Sequence, residues 1–78
     1  MTLTRNIKST ISQRKELVDR NRNNYLILEL DNGESVFVFS GKVNPEKWPW
    51  LKEGQEINFK VEEGKQGANV LVDYEIKT

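Results

Sequence analysis

Residues 25–39, YLILELDNGESVFVF, decide the fold of this chain. Two mainly apolar runs flank the polar stretch 31–34, whose Asp, Asn and Gly residues are typical of a turn. The segment therefore predicts a β-hairpin. A half-buried hairpin alternates apolar and polar residues, but here both faces of the hairpin carry large apolar side chains. One face is expected to lie in the core, so the role of the other face is the question that leads to function.

The length of the turn decides which face is buried. If Asn32-Gly33 alone forms a two-residue turn, Phe37 lies opposite Leu28 and Phe39 lies opposite Leu26. Both phenylalanines would then join the leucines in the core. The Asn-Gly pair is a common signal for this turn.

The alternative is a three-residue loop over 31–33 with Gly33 in a left-handed conformation. This loop shifts the pairing by one residue, so every side chain of the second strand changes face. Val36 and Val38 would then be buried, and the outer face would collect Tyr25, Ile27, Phe37 and Phe39. The local chemistry allows both turns.

The rest of the chain predicts a barrel. Alternation of apolar and polar residues indicates strands at Thr4–Leu17, Glu56–Glu62 and Ala68–Ile76. Together with the two hairpin strands, Tyr25–Leu30 and Glu34–Phe39, they make five. Asn44 suits a helix N-cap and Pro45 the first helical position, whereas Pro49 prevents extension, so one helical turn is expected there. The predicted fold is all-β, a small five-stranded OB-type barrel with one short helical turn between strands 3 and 4, forming a single domain over residues 1–78. An SH3-like barrel is the competing fold.

Composition argues against catalysis. The 78 residues include no histidine and no cysteine, so the usual general bases, nucleophiles and soft metal ligands are missing. We therefore expect neither an enzyme nor a bound metal or cofactor. The N-terminus lacks the apolar core of a signal peptide and no stretch has the length of a membrane span, which predicts a cytoplasmic protein with no membrane contact.

The net charge is zero, but the charges are unevenly distributed along the chain. Residues 1–23 contain six basic and two acidic residues, a net charge of +4, which leaves −4 for the remainder. A neutral total argues against purely electrostatic binding to duplex nucleic acid, yet it permits a local basic face. Alternation along the first strand places Lys8 and Arg14 on its polar side, away from Ile7, Ile11 and Leu17. Arg20 and Arg22 lie in the polar loop that follows.

Residues 24–76 resemble a cold-shock domain, an OB-fold module that binds single-stranded RNA and DNA. The segment DNGESVFVFSG is similar to that family's second ribonucleoprotein motif, an acidic-glycine turn followed by Val-Phe-Val-His-Phe. The segment LKEGQEINFKVEEGKQGANVLV, residues 51–72, resembles the family's C-terminal half. The family's first motif, Lys-Gly-Phe-Gly-Phe-Ile, is replaced by Asn-Asn-Tyr-Leu-Ile-Leu at 23–28, where only Tyr25 retains an aromatic ring.

The resemblance implies an answer to the question of the two faces. In that family the valines of the second motif are buried and the aromatic residues face the ligand, which favours the three-residue loop. It implies binding of single-stranded RNA or DNA by aromatic stacking and basic contacts, with low sequence specificity. The predicted contacts are Tyr25, Ile27, Phe37, Phe39, Lys8, Arg14, Arg20, Arg22 and Lys65.

Two alternatives stay open at this point. The same apolar face suits a protein-interaction module that binds another chain or a second copy of itself. Trp48 and Trp50 suit either stacking on bases or sealing one end of the barrel, and we favour the second because tryptophan is highly buried on average.

Overall fold

The structure is a computed structural model and describes residues 4–64 and 67–76. Its strands are β1 (Thr4–Val18), β2 (Asn24–Leu30), β3 (Ser35–Phe39), β4 (Glu56–Glu63) and β5 (Asn69–Ile76). A 3₁₀ helix spans Pro45–Trp50, between β3 and β4. The strands form a closed barrel in the order β1-β2-β3-β5-β4, in which β3 and β5 pair in parallel and all other neighbours are antiparallel. The predicted all-β barrel with a helical turn between the third and fourth strands is confirmed.

The hairpin of β2 and β3 contains the three-residue loop. The Leu30 amide donates to the Glu34 carbonyl at 2.9 Å, and the Gly33 amide donates to the Leu30 carbonyl at 3.0 Å. Gly33 has a φ of 88°, a left-handed conformation that glycine adopts without steric cost. The Asn32 side chain supports the loop by accepting from the Glu34 amide at 2.9 Å. The register consequently pairs Leu26 with Val38. Four aliphatic residues of the inner face, Leu26, Leu28, Val36 and Val38, are fully buried, and the fifth, Leu30, is 4% exposed.

The long strand β1 pairs with two neighbouring strands. Residues 4–10 pair with β4, residues 11–18 pair with β2, and a bulge shifts the register between Ile11 and Gln13. Where β1 changes its partner from β4 to β2, the Ile11 amide donates to the Gln55 carbonyl, and the Ser12 hydroxyl donates to the Glu29 carbonyl, both at 3.0 Å.

This bulge contradicts two expectations drawn from simple alternation. One extra residue in a strand moves every later side chain to the opposite face. Arg14 therefore lies opposite the buried Leu28, and the prediction that Arg14 shares the outer face with Lys8 is wrong. Leu17, expected in the core, is 38% exposed and lies opposite Tyr25.

The core fills the barrel and extends to the 3₁₀ helix. Its buried members are Ile7, Ile11, Leu26, Leu28, Leu30, Val36, Val38, Val43, Trp48, Leu51, Ile57, Phe59, Val61 and Leu71. A second register shift, between Lys60 and Val61 of β4, pairs Lys60 with Asp73 and Val61 with Leu71. The alternation of β5 breaks there, so Leu71 shares the inner face with Tyr74 and enters the core. Ile76, which lies opposite the buried Ile57 at the end of β5, is 37% exposed.

Different groups cover the two ends of the barrel. At the end where β3 and β5 begin, the Arg5 guanidinium donates to a Glu34 carboxylate oxygen at 2.8 Å and to Asn69 Oδ1 at 2.9 Å. At the other end, the 3₁₀ helix inserts the indole of Trp48, which is 4% exposed. No helix within the described ranges is long and apolar enough to cross a membrane.

Candidate nucleic-acid interface

Three aromatic rings are in contact on the outer face of β2 and β3. The centroids of Tyr25 and Phe39 are 5.9 Å apart, and those of Phe37 and Phe39 are 6.2 Å apart. Phe39 is 36% exposed, whereas Tyr25, Phe37 and the neighbouring Ile27 are half-buried. We call these four residues the ring platform. Their outward position follows from the three-residue loop, because alternate residues of the same strands fill the core.

The ring platform continues onto the strands on either side. On β1, Leu17 lies opposite Tyr25 and Lys15 lies opposite Ile27. On β5, Val70 lies beside Phe37 through the parallel pairing. Sequence reasoning missed Lys15 and Leu17 as members of this face, because their position depends on the bulge at Ile11/Gln13.

A loop with two arginines adjoins the platform. Residues 19–23 connect β1 to β2, and the loop is closed by Asp19, whose side chain accepts from the amides of Asn21 and Asn23 at 2.8 and 2.9 Å. Arg20 and Arg22 are both exposed there. Arg22 has a φ of 63°, a left-handed conformation uncommon for a residue with a side chain, and its amide donates to the Asp19 carbonyl at 3.1 Å.

The structure places two of the other predicted cations, Lys8 and Arg14, away from the rings. Lys8 lies opposite Asn58 of β4, in the half of β1 that does not pair with β2. Arg14 is on the face of Leu28, with its side chain 30% exposed and its guanidinium 3.5 Å from the Glu16 carboxylate. Lys65 lies outside the described residues.

An apolar groove of about 420 Å³ opens at the other side of the platform. It is lined by Phe37, Phe39, Lys42, Glu62, Ala68 and Val70. The Lys42 ammonium lies 3.0 Å from a Glu62 carboxylate oxygen, so the groove contains a donor and an acceptor side by side. Nothing in the local pattern pointed to this pair, because the barrel brings together residues 20 positions apart in the chain.

The two tryptophans have different environments. The Trp48 indole nitrogen donates to the Val43 carbonyl at 3.1 Å, and the ring is buried. The Tyr74 hydroxyl donates to the Lys47 carbonyl and holds the same 3₁₀ helix against β5. Trp50, in contrast, is 57% exposed. Sealing of a barrel end, which we favoured for the tryptophans, is therefore confirmed for Trp48, whereas Trp50, which the sequence did not distinguish from Trp48, lies at the surface.

The charged residues do not form a metal centre in the part of the chain that the structure describes. No group of three or more Asp, Glu, His or Cys residues in residues 4–64 and 67–76 is arranged to hold a metal ion.

Comparison with known protein structures supports the fold. The chain superposes on the mitochondrial single-stranded DNA binding protein of S. cerevisiae with a TM-score of 0.78, covering 100% of this chain and 97% of that chain. The two sequences are 17% identical, so the similarity concerns the fold alone.

Comparison of sequences identifies relatives, although no family model matches the chain. The chain is 39% identical over 41 residues to cold shock protein CspC of Bacillus subtilis, covering 53% of this chain and 62% of that protein. It is 35% identical over 54 residues to cold shock protein CspB of Bacillus caldolyticus, covering 65% of this chain and 82% of that protein. The CspB of Geobacillus stearothermophilus gives the same identity and coverage. Identity at this level over four-fifths of CspB, together with the barrel and its outward rings, means that this chain belongs to the cold shock protein family.

Proposed function

We propose that this cold shock protein binds single-stranded RNA or DNA on the ring platform, by stacking of bases and by contacts of basic residues with phosphates. The observation that carries the proposal is the contact of Phe39 with both Tyr25 and Phe37 on the outside of the barrel, where Phe39 is 36% exposed and the other two rings are half-buried. Bases stack on aromatic rings with little regard to sequence, and each stacked base contributes about 1–3 kcal/mol.

The spacing of the rings favours single strands over duplexes. Neighbouring centroids are 5.9 and 6.2 Å apart, whereas bases in a duplex strand rise by roughly 3.4 Å per nucleotide. Successive bases can therefore occupy successive rings only when the strand is extended and its bases are unstacked. A duplex cannot present its bases in this way without opening.

Basic residues at one edge of the platform supply the phosphate contacts. Arg20 and Arg22 extend from the loop next to Tyr25, and Lys15 lies opposite Ile27. Binding by these residues is part of the proposal. Contacts from Lys8, Arg14 and Lys65 remain predictions of the sequence, and the first two lie away from the rings.

The proposal covers binding without catalysis. Relatives in this family are cold shock proteins, and the chain itself contains no histidine or cysteine. RNA and DNA share the bases and phosphates that the platform contacts, so both are included. The cytoplasmic location also remains a prediction of the sequence.

The test is titration of the protein with fluorescently labelled oligo-dT and oligo-U at two salt concentrations. Changing Phe37 and Phe39 together to alanine is expected to weaken binding at least tenfold, given the contribution of each stacked base. The double change to leucine distinguishes ring stacking from simple apolar contact. It retains apolar volume but removes the aromatic faces, and it should also weaken binding.

Circular dichroism establishes that each variant is folded. A folded alanine variant with unchanged affinity would refute the proposal. Oligonucleotide affinity that does not fall with salt would contradict the proposed phosphate contacts, since these release counterions and make binding salt-dependent.

A further inference from the structure

The groove next to the ring platform combines an apolar floor with one ion pair. Phe37 and Val70 are neighbours across β3 and β5, and Ala68 adjoins them. At the side of this floor, Lys42 Nζ and Glu62 Oε1 are 3.0 Å apart. A volume of about 420 Å³ accommodates a purine base lying flat against Phe37.

The barrel does not need this ion pair for its stability. The Lys42 side chain is 51% exposed and the Glu62 side chain is 20% exposed. Ion pairs this accessible to water contribute about 0–1 kcal/mol to folding. Glu62 lies opposite Val70 on the outer face of β4, away from the core residues on the same strand. The pair is therefore available to a ligand in the groove.

We propose that Lys42 and Glu62 make this groove a subsite selective for guanine, an inference that rests on the proposed binding of single-stranded nucleic acid. The Watson–Crick edge of guanine presents, side by side, one acceptor (O6) and two donors (N1–H and N2–H). A lysine ammonium only donates and a carboxylate only accepts. Lys42 donates to O6, and the two oxygens of Glu62 accept from N1–H and N2–H.

Thymine and uracil fit the same pair poorly. They present one donor, N3–H, between two carbonyl oxygens. When Lys42 donates to one carbonyl and Glu62 accepts from N3–H, the second carbonyl faces the carboxylate and the two acceptors repel each other. Adenine and cytosine each present an amino donor beside an acceptor, and they make two bonds where guanine makes three. We therefore expect guanine to bind best and thymine or uracil to bind worst.

The experiment compares oligo-dT with oligonucleotides of the same length that carry a single guanine at each position in turn. Measuring every position locates the groove along the strand. At the best position, guanine should bind about tenfold more tightly than thymine, the discrimination expected for a well-placed bidentate pair. Inosine, which lacks the 2-amino group, should lose part of this gain. 7-Deazaguanine, whose Watson–Crick edge is intact, should keep it.

Two variants test whether the selectivity for guanine depends on the ion pair. Glu62→Gln replaces one acceptor oxygen by a donor and should reduce the guanine-to-thymine ratio to less than threefold. Glu63→Gln is the matched control, because it removes the same charge one residue along β4, outside the groove, and it should keep the full ratio. Lys42→Met should reduce the ratio by removing the donor to O6.

The ratio of guanine to thymine affinity is the quantity to compare between variants, because removing any carboxylate raises the overall affinity for an anionic strand. If guanine gives no gain at any position, or if Glu62→Gln keeps the full ratio, the inference is overturned while binding to oligo-dT still stands. If the wild-type protein binds no oligonucleotide, the proposed function fails and the subsite fails with it. The same holds if the variant with Phe37 and Phe39 changed to alanine binds as well as the wild type.

Discussion

Tyr25 and Phe39 face each other across β2 and β3, with ring centroids 5.9 Å apart on the outside of the barrel. The next pair in the register, Leu26 and Val38, also face each other but on the inside, where both are fully buried. A single residue therefore separates a core pair from a surface pair. A shift of one residue in the hairpin register would turn β3 over relative to β2, bury Phe37 and Phe39 beside the leucines, and separate Phe39 from Tyr25.

The bulge in β1 predicts that Lys15, and not Arg14, assists binding. Lys15 lies opposite Ile27 on the outer face, whereas Arg14 lies on the face of Leu28 near the Glu16 carboxylate. Lys15→Gln should reduce the slope of log affinity against log salt by about 0.7, the value for one phosphate contact on a single strand. Arg14→Gln removes the same charge and should leave the slope unchanged. Titrations at several salt concentrations measure both slopes, and the opposite ranking would contradict this placement of β1.

The left-handed residue of the hairpin loop predicts a stability difference between two glycines. Gly33 has a φ of 88°, and an added Cβ would meet no atom within 4 Å, so an alanine there costs only backbone strain. Gly33→Ala should lower the free energy of unfolding by about 1 kcal/mol. Gly41 also has open space but no left-handed φ, and Gly41→Ala should change stability by less than about 0.5 kcal/mol. Urea unfolding followed by circular dichroism measures both, and equal effects would argue against the three-residue loop.

Tyr74 predicts a loss of stability at alkaline pH. Burial of the phenol, and secondarily the charge of Asp73, raises the pKa of Tyr74 above its usual value of 10.0. The folded state therefore keeps the phenol proton at a pH where the unfolded chain begins to release it. The resulting stability is fully present below pH 10 and is lost as the pH rises through the folded pKa.

The comparison that tests this is thermal unfolding of wild type and Tyr74→Phe between pH 8 and pH 11. The difference in Tm between the two proteins should shrink toward the alkaline end, because phenylalanine has no proton to lose. All other side chains are the same in both proteins, so their effects cancel in the difference. A constant difference across this range would show that Tyr74 does not titrate differently in the folded and unfolded states.

Much of the fold follows from local patterns. Alternation along β4 predicts a strand over 56–62, and the observed strand is Glu56–Glu63. Asn44 and Pro45 predict the start of the helical turn, and in the structure the Asn44 side chain accepts from the Glu46 amide at 3.0 Å. These features are readable because a cap, a turn or an alternating strand is defined by residues within a few positions of one another.

The sequence also limited the possible registers of the hairpin to two, and the resemblance to cold-shock domains favoured the register that is observed. Local chemistry allowed both turns because Gly33 suits either of them. The register is decided by packing, since the three-residue loop places four aliphatic side chains in one layer of the core. The alternative would have placed the larger phenylalanine rings in that space.

The sequence alone determined the strands, the helical turn and the aromatic residues that could form the outer face of the hairpin. Only the tertiary structure decided that Lys15 replaces Arg14 on that face, that Trp48 is buried while Trp50 is exposed, and that Lys42 meets Glu62. The bulge in β1 forms where one strand leaves β4 and joins β2, so its position depends on both neighbours at once. Alternation along a single strand does not show where that strand changes its pairing partner, because the partners are defined only when the barrel closes.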